Sequence, residues 1–147
     1  MALIAVAGTL LGSVSTAVLQ QRAVRADRAE ARSDAVRRDR ITAIAALVAA
    51  LAEHRLAMWA REDLRLSGTD GSAYQAARVE SHATRAAVTA PLTTVAILAP
   101  DLADAAHDAA HAAYALRGAA DAAMLAGRRA DAIGAAERLV HQAAQLA

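Results

Sequence analysis

Apolar and polar positions alternate along this chain with helical, not strand, spacing. From residue 41 to 66, Ile41, Ile44, Val48, Leu51, Arg55 and Met58 recur three and four apart, with Leu47, His54 and Leu64 beside them. That spacing predicts an amphipathic helix with one buried stripe. Ser67-Gly-Thr-Asp-Gly71 is the strongest turn signal and should end this helix near Leu66. Ser72 and Gln75 read as a capping box that opens a second helix over about 73–98. Pro91 lies inside it, so a kink or break is expected near Ala90. Pro100 suits the first turn of a third helix, with Asp101 and Asp104 at its N-terminal dipole. Gly118 should cap its end after Arg117. A fourth helix is expected over about 122–145, with Leu125, Ala132, Leu139 and Leu146 seven apart and Gly127 and Gly134 weakening it locally.

The N-terminal pattern differs. Residues 1–21 carry no charged side chain. A helix from Ala2 to Leu19 would be about 27 Å long, enough to span a hydrocarbon core. Gly8, Thr9, Gly12, Ser13, Ser15 and Thr16 dilute its hydropathy. A transmembrane anchor is the leading reading, against a secretory signal peptide and a helix buried in a soluble bundle. The signal peptide suffers from the missing basic leader and from Arg22 following at once. Gly8, Gly12 and Thr16 share one helix face, a small-residue step that permits self-association in lipid but is also common in membrane helices.

Residues 22–40 hold seven Arg against four acids, a local charge of +3, and contain neither Pro nor Gly. They read as a charged helical neck. Arg22, Arg25, Arg28 and Arg32 would keep this side cytoplasmic, with the N-terminus outside, and can touch anionic lipid head groups. Residues 41–147 hold nine Arg against eleven acids, so this part carries −2. Direct nucleic-acid binding is therefore not expected. The domain plan is 1–21 anchor, 22–40 neck and 41–147 cytoplasmic helical bundle.

Composition narrows the chemistry. Of 147 residues, 46 are Ala, and there is no Cys, Lys, Phe or Asn. Disulfides, thiolate metal sites, Cys nucleophiles, the phosphate-loop lysine and Schiff-base lysines are excluded. The Ala load favours an all-α fold, a small antiparallel bundle with close helix contacts and a thin core. Self-association should help to stabilise it. Ala with exclusive Arg also fits a GC-rich genome such as an actinobacterium's.

Candidate sites are few. No catalytic or cofactor-binding set is expected. Asp104, His107, Asp108 and His111 share one face of the third helix, and His107 with His111 has chelating spacing. A solvated polar face explains the same residues, so the pair is kept only as a weak metal candidate. His54, His82 and His141 are isolated. Trp59 should pack against Tyr74 across the turn, or serve as a partner hot spot.

Three stretches carry a family resemblance: Ala5-Val-Ala-Gly-Thr-Leu-Leu-Gly-Ser13 with Gln20-Gln-Arg22; Arg55-Leu-Ala-Met-Trp-Ala-Arg-Glu62; and Thr89-Ala-Pro-Leu-Thr-Thr-Val-Ala-Ile-Leu-Ala-Pro100. Together they resemble the KilB-like proteins of Streptomyces conjugative plasmids. The resemblance implies a small membrane-associated protein linked to plasmid spread through mycelium, with other transfer proteins as partners. It brings no catalytic residues. Alternatives are a soluble structural helical oligomer, with residues 1–21 covered by partner chains, and a metal-binding or sensory helical module.

Overall fold

The computed structural model describes the backbone of residues 3–68 and 71–146, and the side chains of residues 25, 27–68 and 71–146. The fold is all-α: α1 (Leu3–Leu66), α2 (Gly71–Leu98), α3 (Ala103–Tyr114) and α4 (Ala122–Gln145), with a 3-10 turn at Pro100–Leu102. Among the described residues there is no strand. The chain divides into two compact units, Met1–Arg38 and Asp39–Ala147.

In the first unit the backbone is helical from Leu3 onward. Arg25, Arg28 and Arg32 are exposed. Gly8, Gly12, Thr16 and Arg22 lie outside the residues described beyond their backbone.

The second unit is an up-down-up-down bundle. Opposite α1, α2 runs antiparallel: Arg40 reaches Leu98, His54 reaches Thr84 and Arg61 reaches Ser81. Between α1 and α4 the order is also reversed, with Trp59 beside Arg129 and Val48 sharing a groove with Ala144. Of the twenty buried hydrophobic residues described, eleven are Ala. Such side chains let helix backbones approach closely but remove little area from water.

On α1 the buried stripe is Ala43, Leu47, Ala50, His54, Ala57 and Arg61, with Leu51, Met58 and Glu62 beside it. Leu51 and Met58 are buried as expected, with Leu47 and His54, but the stripe is rotated away from the rest of the expected set. Ile44, Val48 and Arg55 are only half-buried, and Ile41 is 52% exposed. The true stripe is centred on alanines, which a hydropathy pattern cannot distinguish from the many exposed alanines.

Three further features of the helices differ in detail. α2 begins at Gly71, which places Ser72 inside the first turn instead of before it. α2 continues through Pro91 without a break. Proline removes one backbone donor, and the fully buried Val88 and Val95 on either side hold the helix against the bundle. α3 ends at Tyr114, and Gly118 sits four residues further on with φ +72. Arg128 donates to the carbonyls of Ala115 (2.9 Å) and Arg117 (3.0 Å), so a cation from α4 closes the C-terminus of α3. α4 matches the expected span; Asp121 caps it by accepting the Met124 N–H at 2.7 Å. Leu125, Ala132 and Leu139 are buried there, whereas Leu146 is 58% exposed past the helix end.

Candidate functional site

The polar interior gathers on α1 between His54 and Arg65, where Leu and Ala give way to charge. Glu62 is 1% exposed. Its Oε2 accepts from Arg65 Nε at 2.7 Å and from the Gly118 backbone N–H at 3.0 Å. Arg65 also donates to the Ala119 carbonyl. Arg61 is buried too, with Nε 3.8 Å from Glu62 Oε1 and a second nitrogen donating to Ser81 Oγ at 3.2 Å. Its guanidinium lies 5.9 Å from the centre of the Tyr74 ring. One carboxylate between two guanidiniums thus ties α1 to α2 and to the turn before α4. A buried carboxylate is tolerable only with such partners.

His54 lies two turns earlier on the same face. Thr84 donates its hydroxyl to the Glu80 carbonyl at 3.0 Å, so its oxygen accepts from His54 Nδ1–H at 3.0 Å. This places the proton on Nδ1. Nε2 is buried and has no hydrogen-bond partner. The Tyr114 ring packs edge-on at 5.3 Å, and Arg85 stacks over that ring at 4.0 Å. Burial, then the Arg85 charge, push the His54 pKa from 6.5 down to about 4. The imidazole is neutral at pH 7. Because Nδ1 is a donor, it does not act as a base toward Thr84. The Ser81 hydroxyl likewise donates to a backbone carbonyl, that of Arg78, at 2.8 Å. These groups serve packing and helix registration.

Other singled-out residues fall outside this cluster. Asp104, His107, Asp108 and His111 are all exposed on α3. Among the described residues no group of three His, Asp or Glu side chains is placed to hold a metal. His82 is exposed. His141 is exposed and accepts from Gln145 Nε2 at 3.0 Å. Trp59 packs with the cluster of Met58, Leu116, Ala119, Leu125 and Ala132, with Arg129 stacked 4.7 Å from its ring. Its partners are on α4 and the preceding turn, which corrects the expected pairing with Tyr74.

Sequence reasoning missed Arg61, Glu62, Arg65, Ser81 and Thr84. One signal was present: Leu47, His54 and Arg61 are seven apart, so a heptad started at Leu47 runs directly into the charged cluster.

Among the described residues one helical stretch, Asp27–Leu66, is long and apolar enough to cross a membrane by length and composition. Its apolar part includes Leu47, Leu51 and Met58, which the bundle buries. A core helix meets the same criterion. The expected anchor, residues 1–21, has side chains outside the described residues.

Residues 41–147 match the family model described as KilB plasmid transfer protein. The chain is also 57% identical over 143 residues to Protein KilB of Streptomyces lividans, covering 97% of this chain and 95% of that protein. No solved structure matches.

Proposed function

The chain belongs to the KilB plasmid transfer protein family, and from that premise we propose that it is a non-enzymatic, membrane-anchored helical assembly protein serving conjugative plasmid transfer, at the stage of spread through the mycelium. Residues 1–21 are the anchor, with the N-terminus outside and the body cytoplasmic. Arg22, Arg25, Arg28 and Arg32 sit at the anionic head groups. The body assembles with further copies, with Gly8, Gly12 and Thr16 as the contact face within lipid, and with other transfer proteins. DNA is not touched directly, since residues 41–147 carry −2.

The observation that carries this reading is the coincidence of the family match, 41–147, with a bundle whose buried Glu62, Arg61 and Ser81 are held by partners within it. An uncharged segment followed by seven Arg in nineteen residues supports the orientation. The test is genetic. Deleting the gene from its conjugative element should leave initial transfer largely intact and shrink the zone of spread. Restoring the full chain should recover the zone, and restoring residues 22–147 should not. Normal spread in the full deletion, under conditions where the protein is expressed, overturns the proposal.

A further inference from the structure

We propose that the groove between α1 and α4 is the docking face for a second copy of this chain, the two bundles meeting about a two-fold axis that runs along the helices. This rests on the self-assembly part of the function proposed above and names its surface. The groove has a volume of about 500 Å³. Val48 and Ala52 of α1 and Ile133 and Val140 of α4 give it an apolar floor, and Arg55 and Glu137 stand on opposite walls.

The bundle buries part of its larger apolar set, Leu47, Leu51 and Met58 on α1, and leaves other apolar residues at its surface. Ala43, Ala50 and Ala57 face the core, whereas Ile41, seven residues before Val48, is exposed, and the half-buried Val48 and Arg55 line the groove on the α1 side. Ile41 is 52% exposed and Val140 is 46% exposed. A helix with apolar residues at its surface as well as on its buried stripe is built for two contacts, one inside the bundle and one outside it.

Charge selects the occupant. Among the described residues neither Arg55 nor Glu137 makes an ion pair or a hydrogen bond. A patch with an apolar centre, one cation on the α1 wall and one anion on the α4 wall complements itself. Rotation about an axis along the helices preserves height, lays α1 of one copy over α4 of the other, and brings each Arg55 to the other copy's Glu137. Rotation about an axis across the groove would instead oppose Arg55 to Arg55. The chosen axis also leaves both bodies entering α1 at Asp39 from the same end, as two copies anchored in one membrane require.

The absence of cysteine makes the test direct. Two differently tagged full-length copies, one Arg55→Cys and one Glu137→Cys, are co-expressed and oxidised in membranes. The expected product is a mixed disulfide dimer in clear excess over the same-site pairs and over a pair of His107→Cys chains, which report the outer face of α3. In native mass spectrometry of the full chain in detergent, Arg55→Glu or Glu137→Arg alone should weaken the dimer about tenfold. The double swap should restore it, which also shows that the variants fold. No mixed disulfide, an equal yield at position 107, or no restoration by the double swap overturns the proposal. Fractionation separates this from the anchor. Membrane-bound protein without the mixed disulfide removes this interface and leaves the anchor standing. A mixed disulfide in protein that does not pellet keeps the interface and removes the anchor.

Discussion

Glu62 and Gly118 lie 56 residues apart in sequence, yet the Gly118 N–H donates to Glu62 Oε2 at 3.0 Å. Gly118 has φ +72, a left-handed conformation that suits glycine and turns its N–H toward α1. The hydrogen bond fastens the turn between α3 and α4 to the first helix. Arg65 reinforces it from the next turn of α1, holding Glu62 and the Ala119 carbonyl together. Where the core is thin, this charged clasp fixes how the last two helices sit on the first.

Removing the carboxylate should therefore cost more than a surface charge. Glu62→Ala leaves the buried Arg61 without its counter-charge and the Gly118 N–H without its acceptor. The expected destabilisation is about 3 kcal/mol, or a fall in Tm of about 10 °C. Glu62→Gln keeps an acceptor for the N–H and should lose less. Thermal unfolding followed by circular dichroism checks both, and a Glu62→Ala chain as stable as the parent would show that the clasp is ornamental.

His54 gives the bundle a pH dependence of definite sign. Unfolded, it takes up a proton near pH 6.5; folded, burial and Arg85 lower that value to about 4. Between these values the unfolded chain binds more protons. The bundle should hold its full stability above pH 6.5 and lose it as pH falls toward 4, by about 2 kcal/mol between pH 6.5 and 5. His54→Gln, whose amide can still donate to Thr84, should remove that loss. Urea unfolding at the two pH values measures it, and equal slopes in parent and variant would contradict the assignment.

The end of α1 and the span of α4 were legible in the sequence: α1 stops at Leu66, before the Gly-rich turn, and α4 runs from Ala122 to Gln145. The rotation of α1 was not. With 46 alanines, hydropathy weighted Ile41, Ile44 and Val48, while close packing selected Ala43, Ala50 and Ala57. The continuity of α2 through Pro91 was illegible for a related reason, because the burial of Val88 and Val95 decides it and local propensity does not. The polar cluster escaped notice because its partners are remote. Glu62 meets Gly118 and Arg65 meets Ala119, pairings that no local spacing encodes.

Small residues in the N-terminal segment make a separate prediction about assembly within lipid. If Gly8 and Gly12 allow two helices to touch, Gly12→Ile should reduce chemically cross-linked dimers in membranes while leaving the amount of membrane-bound protein unchanged. An unaltered cross-linking yield would return these glycines to ordinary membrane-helix composition and leave assembly to the body.

The central claim is that residues 1–21 hold a helical body at the membrane. Alkaline carbonate washing of membranes, applied to the full chain and to a chain lacking residues 1–21, tests it most directly. The full chain should stay in the pellet and the shortened chain should move to the supernatant with its helical signal intact. Complete release of the full chain would contradict the claim and favour a soluble oligomer that covers residues 1–21 with partner chains.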